Sequence, residues 1–240
     1  MSSEHLDPPA VGRVRSQRLV LEAIHVEPVQ RADACVIWLH GLGADGHDFD
    51  SIVPQLALPP TVRFAFPHAP HRPVTINAGM RMRAWYDIDP NAPMRGGDEL
   101  DQSADAVEQL VHEQLNDGIS IGRIVLAGFS QGGVVALRLG LRLQHALAGI
   151  VALSTFVCDQ QRLDELASEE SRGTPIFMAH GTADPMVPFH FAEMSRDLLQ
   201  RSGYKVDWQQ YPIGHSVCPP EVDAIGNFLR HLLKSPEDSG

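Results

Sequence analysis

Several classes of protein are excluded by what this sequence lacks. It has three cysteines, Cys35, Cys158 and Cys218, an odd number that cannot close into a disulfide framework. Such sparse cysteine fits a reducing, cytoplasmic setting. The first 15 residues are polar and carry prolines, with no apolar signal core among them. The longest apolar run, Ala146–Cys158, is interrupted by Ser154 and Thr155 and is too short to span a bilayer. Basic patches are also missing. With 19 Lys and Arg against 30 Asp and Glu, the formal charge is −11, which argues against nucleic acid or an anionic membrane as partner. There is no internal repeat, no low-complexity tract and no linker-like segment, so one domain is expected over residues 16–234. Residues 1–15 and 235–240 are expected as loose tails. A chain of 240 residues buries roughly 70–75% of its unfolded surface, enough for a sheet covered on both faces.

Against that background, short β-rich runs recur: Arg18–Ile24, Cys35–Leu39, Val62–Phe66, Ile124–Phe129, Gly149–Leu153, Ile176–Ala179 and Val206–Gln210. Helical stripes separate the later ones. Leu100, Ala104, Val107, Val111 and Leu115 keep a spacing of three to four, and Gly118 supplies a stop. Phe191, Met194, Leu198 and Leu199 form a second stripe between Pro188 and Gly203. Val222, Ile225, Leu229 and Leu232 form a third after Pro219-Pro220. Apolar strands alternating with amphipathic helices predict an α/β fold, its mostly parallel sheet of about seven strands flanked by helices on both faces. The polar segment Asp159–Arg172 reads as a cap or surface helix.

The most informative motif is Gly128-Phe129-Ser130-Gln131-Gly132-Gly133, which leaves the run Ile124–Ala127 and opens the helical stretch Val134–Leu143. A strand, a tight turn with serine at its apex, then a helix is the build of a nucleophile elbow. Side chains two residues either side of the serine would collide in such a turn, so glycine stands at 128 and 132. A serine hydroxyl is nearly unreactive by itself and needs a base, which in turn needs an orienting acid. Candidates for both follow in the order expected of a hydrolase sheet. Asp184 lies just past the strand at Ile176–Ala179, and His215 follows the strand at Val206–Gln210. Asp159, Asp164 and Asp207 are rival acids, but none combines a strand end with that position. His180 is a rival base too near Asp184 along one loop. The glycine-rich turn His40-Gly41-Leu42-Gly43 leaves an earlier strand and exposes backbone N–H groups, as an oxyanion hole requires. The expected donors are the N–H groups of Leu42 and Gln131.

Together with Phe66-Pro67-His68-Ala69-Pro70, Trp85-Tyr86-Asp87-Ile88, His180-Gly181 and Gly214-His215-Ser216-Val217, these motifs resemble the phospholipase/carboxylesterase family of α/β-hydrolases. That group includes bacterial carboxylesterases and acyl-protein thioesterases. The resemblance spans about residues 18–234. It implies a single α/β-hydrolase domain without a large cap domain, a triad of Ser130, Asp184 and His215, Leu42 and Gln131 as oxyanion donors, and no metal or other cofactor. His40, His68 and His71 lack a recognised ligand spacing. The resemblance also implies that Trp85 and the loop Arg72–Arg83 line the acyl pocket. Met80 and Met82 are then candidates for an apolar slot, with Arg81 and Arg83 either facing solvent or shortening it.

The expected activity is carboxylesterase hydrolysis of small to medium acyl esters, extending to thioesters. The alternatives are an acyl-protein thioesterase or lysophospholipase acting on long chains, with a lipidated protein as partner, and a catalytically silent binding module on the same fold. A hydrolase-fold peptidase would need a gating domain that the sequence does not offer. A homodimer is compatible with the apolar face that the family carries near its pocket. Cys218, three residues after His215, is read as a buried residue rather than a reactive thiol.

Overall fold

A computed structural model describes residues 19–234; the tails expected at 1–15 and 235–240 lie outside the described residues. Seven strands form the main sheet: β1 (Ala23–Val26), β2 (Ala34–Leu39), β3 (Val62–Pro67), β6 (Ile124–Phe129), β7 (Gly149–Leu153), β8 (Ile176–Gly181) and β9 (Val206–Tyr211). Between β3 and β6 lie β4 (His71–Val74) and β5 (Met80–Arg83), which pair only with each other as an antiparallel hairpin. The sheet order is β1-β3-β2-β6-β7-β8-β9, with β1 antiparallel to β3 and the other neighbours parallel. The segment Arg72–Arg83, expected as a loop, is thus largely hairpin. The first strand sits later than expected, at Ala23–Val26.

Helices connect the parallel strands: α1 (Val53–Leu56), α2 (Gly97–Asn116), α3 (Gln131–Arg142), α4 (Leu163–Leu166), α5 (Phe189–Arg201) and α6 (Pro219–Leu232). The polar stretch Asp159–Arg172 forms short turns around α4 rather than one helix. Strand β2 shows how one sequence builds two cores. Successive side chains leave a strand on opposite faces. Accordingly Cys35, Ile37 and Leu39 belong to one buried cluster with Leu100 and Val107 of α2, Val135 and Leu139 of α3 and, farther along the same face, Leu199 of α5. Ala34, Val36 and Trp38 pack with Leu56 of α1 and with Val222, Ile225 and Leu229 of α6. Each of these large apolar side chains contributes about 1.5–3 kcal/mol by burial. That double covering holds the C-terminal ends of β2, β6, β8 and β9 in fixed relation, and the candidate residues all leave from those ends.

Candidate active site

Strand β6 stops at Phe129 and α3 begins at Gln131, leaving Ser130 alone at the turn with φ 52° and ψ −120°. A non-glycine residue held there costs on the order of 1–3 kcal/mol and persists only when its surroundings over-determine it. They do so through three bonds. The Ser130 N–H donates to Leu153 O at 2.8 Å, and its carbonyl accepts from the Thr155 hydroxyl at 2.7 Å and the Val134 N–H at 3.2 Å. The glycine requirement is steric. A Cβ on Gly128 would lie 2.4 Å from the backbone of Gly132, and one on Gly132 would lie 2.3 Å from Leu39 O.

His215 comes from the loop after β9. Its Nε2 stands 2.9 Å from Ser130 Oγ and its Nδ1 2.7 Å from Asp184 Oδ2. A carboxylate only accepts, so Nδ1 carries the proton and Nε2 is free to accept from the serine hydroxyl. Asp184 is buried, and its other oxygen accepts the Met186 and Val187 N–H groups at 2.8 and 2.9 Å. Those two donors support its charge where water cannot. The acid and base loops are laced together. Thr182 N–H donates to Tyr211 O and Ala183 N–H to Ile213 O, while a Cβ on Gly181 would sit 2.3 Å from Gly214 O. Gly181 is therefore needed for close approach of the two loops, a role that no local pattern announces.

Two of the rival groups are held by bonds of their own, and the Nε2 of one of them, His180, also stands 3.4 Å from Asp184 Oδ2. His180 is fully buried, its pKa is lowered by that burial, and its Nε2–H donates to Val187 O at 2.9 Å. Asp159 pairs with Arg138 and accepts the Gly96 N–H. Cys218 is half-buried at the start of α6. Among the described residues, no group of three His, Cys, Asp or Glu side chains is placed to hold a metal ion. No described helix is long and apolar enough to cross a membrane.

Ser130 and His215 open onto a cavity of about 590 Å³, within the range of small-molecule pockets. Leu42 and Gln131 both border it beside the serine. Gln131 is the first residue of α3, where a helix leaves its N–H groups without internal partners. The remaining walls are mainly apolar. They include Phe156, Met186, Val187 and Phe191 and also Tyr86, Ile88, Pro90, Pro93 and Ile76, with Asp48 and Asn77 as polar exceptions.

The pocket assignment needs correction. Trp85 does not line the cavity. It is fully buried, with its indole N–H donating to His40 O at 2.9 Å and its backbone N–H to Gln131 Oε1 at 2.7 Å. Its neighbour Tyr86 takes the wall, its carbonyl held by Gln131 Nε2 at 2.7 Å. Met80 and Met82 do not line it either. Met80 is 64% exposed, and Met82 accepts a bond from Asn77 within the hairpin. The reason is the hairpin, whose tip at Thr75–Asn77, not its β5 strand, reaches the cavity. Arg81 and Arg83 donate to His71 O and Ala69 O, both at 2.8 Å, and border no part of the cavity.

Comparison with known proteins agrees with this architecture. A family model described as Phospholipase/Carboxylesterase matches residues 22–233. A relative from Neurospora crassa named acyl-protein thioesterase 1 is 42% identical over 226 residues, covering 89% of this chain and 92% of that one. Among solved structures, acyl-protein thioesterase 2 of Zea mays aligns with a TM-score of 0.79 at 28% identity, over 88% of this chain and 99% of that one. Arabidopsis thaliana SOBER1 aligns with a TM-score of 0.78, also at 28% identity, over 84% of this chain and 99% of that one.

Proposed function

We propose that this chain, which belongs to the phospholipase/carboxylesterase family of α/β-hydrolases, hydrolyses acyl esters and thioesters through an acyl-enzyme on Ser130. The observation that carries this reading is the hydrogen-bonded series Ser130–His215–Asp184, whose first two members border an apolar cavity. His215 Nε2 takes the serine proton as Oγ attacks the acyl carbonyl, and Asp184 holds the resulting imidazolium. The Leu42 and Gln131 N–H groups receive the charge that develops on the carbonyl oxygen. Collapse expels the alcohol or thiol, protonated by His215. A water deprotonated by the same nitrogen then attacks the acyl-enzyme and releases the acid, restoring Ser130.

The first reading is an ester or thioester of a small to medium acyl chain; the mainly apolar lining, with Asp48 as the only carboxylate among the described residues bordering the cavity, supports an uncharged acyl group. A second reading, longer chains carried on a lipidated protein, is favoured by the relative named acyl-protein thioesterase 1. Values of kcat/KM for nitrophenyl esters and matched thioesters from acetyl to palmitoyl, with Ser130→Ala as blank, separate the two. A maximum at middle lengths supports the first, and a steady rise to palmitoyl the second. A silent binding module would show neither turnover nor covalent labelling of Ser130 by a fluorophosphonate.

A further inference from the structure

His40 touches no part of the cavity, yet it is buried and bonded through both ring nitrogens. The Ala69 N–H lies 3.0 Å from Nε2. A backbone N–H can only donate, so Nε2 presents its lone pair and the neutral ring carries its proton on Nδ1. That Nδ1–H stands 2.7 Å from Gly41 O. The Trp85 indole packs beside the imidazole with centroids 5.3 Å apart, and its N–H donates to the carbonyl of His40 itself. Tautomer and ring orientation are therefore both determined.

The Gly41 carbonyl and the Leu42 N–H are the two ends of one planar peptide unit, and in a trans peptide they point in opposite directions. Drawing the carbonyl toward the buried imidazole turns the N–H away from it. We infer that His40 is a positioning residue for the oxyanion hole: its Nδ1–H holds the Gly41–Leu42 peptide so that the Leu42 N–H is presented to the reacting carbonyl. The hold is itself braced. Arg83 donates to Ala69 O, Ala69 donates to His40, and Gly43 N–H donates to Arg83 O at 2.8 Å, so the end of the hairpin grips both sides of the oxyanion turn. Burial lowers the His40 pKa to about 4, which keeps the ring neutral. A charged ring would set a second N–H against that of Ala69.

The inference rests on Ser130 acting as nucleophile, and two amide substitutions separate it from a packing role. Asparagine places a donor near the position of Nδ1 but loses the acceptor for Ala69. Glutamine reaches the position of Nε2 but loses the donor to Gly41. His40→Asn is expected to keep kcat within about fivefold of wild type. His40→Gln is expected to lower kcat on the order of 10–100-fold with KM within about threefold, short of the 10²–10³ that follows outright loss of an oxyanion donor. Melting temperatures of the two variants should fall alike. Equal kcat in both, or the reverse order, would overturn the inference. Should neither variant fold, ¹⁵N NMR of the wild-type imidazole at neutral pH decides. A neutral ring protonated at Nδ1 supports the role, and a ring protonated at Nε2 or charged overturns it. Absence of Ser130-dependent turnover in the wild-type chain would instead sink the proposed function, so the two failures are distinguishable.

Discussion

The phenyl ring of Phe129 lies against the imidazole of His215, with centroids 4.7 Å apart and planes inclined by 47°. On its other side Phe129 meets Phe49 at 5.5 Å, and its ring edge fills the space where Gly41 would carry a Cβ. The residue before the nucleophile is therefore a wedge between the oxyanion turn and the base. Phe129→Leu removes an aromatic contact of about 0.5–1.5 kcal/mol, so kcat/KM is expected to fall about 2–12-fold. Steady-state kinetics check this, and a change below twofold would remove the wedge from the account of His215.

Ser130→Ala should lower turnover by about 10⁴–10⁶. Asp184→Asn should lower kcat by about 10⁴, because an amide cannot accept from His215 Nδ1 and from the Met186 and Val187 N–H groups alike. Labelling by a fluorophosphonate distinguishes the two variants. It should vanish in the first and persist, slowed, in the second.

Two buried groups set opposing pH dependences of stability. The His40 pKa, lowered to about 4 from 6.5, gives a contribution complete above pH 6.5 and lost as the pH falls toward 4, because the unfolded chain binds the proton first. Glu221 in α6 is 1% exposed, and burial pushes its carboxyl up to about 7 from 4.5. Its contribution is complete below pH 4.5 and lost as the pH rises through 7. Glu221→Gln should therefore raise Tm by a few degrees at pH 8, the equivalent of about 1–3 kcal/mol, with little gain at pH 4.5. A gain that does not grow between those pH values would contradict the assignment to Glu221.

The hairpin arginines should separate cleanly. Arg81 donates to His71 O on the exposed face, so Arg81→Ala is expected to leave kcat/KM within about twofold. Arg83 braces Ala69, and Arg83→Met should lower Tm by an amount equivalent to about 1.5–3 kcal/mol and reduce kcat more than it raises KM. Neither change should move the preferred acyl length. A shift in that preference would bring one of the arginines back to the cavity.

Ile76, at the hairpin tip, does border the cavity. Ile76→Trp should lower the ratio of kcat/KM for dodecanoyl over butanoyl esters by about tenfold or more through loss of space. An unchanged ratio would place the acyl chain away from Ile76, against other lining residues such as Phe156 and Phe191.

Much of this site could be read from the chain because its determinants are local. The elbow requires glycine at 128 because a Cβ there would meet the backbone of Gly132 four residues on, whereas Gly132 is required by the approach of Leu39 O at the end of β2; β6 and α3 announce themselves by periodicity. Asp184 and His215 stood out because each follows a strand-like run. The order of the parallel strands then places those strand ends together.

The pocket was less legible. Met80 and Met82 lie in a segment expected as a pocket-lining loop, but pairing with His71–Val74 makes it a strand, and the cavity is bordered by Ile76 and Asn77 instead. Trp85 and Tyr86 are adjacent, and the motif containing them does not say which one faces the cavity. That was decided by the acceptor at His40 O, forty-five residues away, which satisfies the buried indole N–H. By itself the sequence determined the fold class and pointed to Ser130, Asp184 and His215, which the structure brings within hydrogen-bond reach, since periodicity and turn sterics act over a few neighbours. Tertiary structure alone decided the walls, the glycine at 181 and the tautomer of His40. Each depends on a partner brought close only when the sheet assembles, and a buried polar atom or crowded Cβ is defined by that partner.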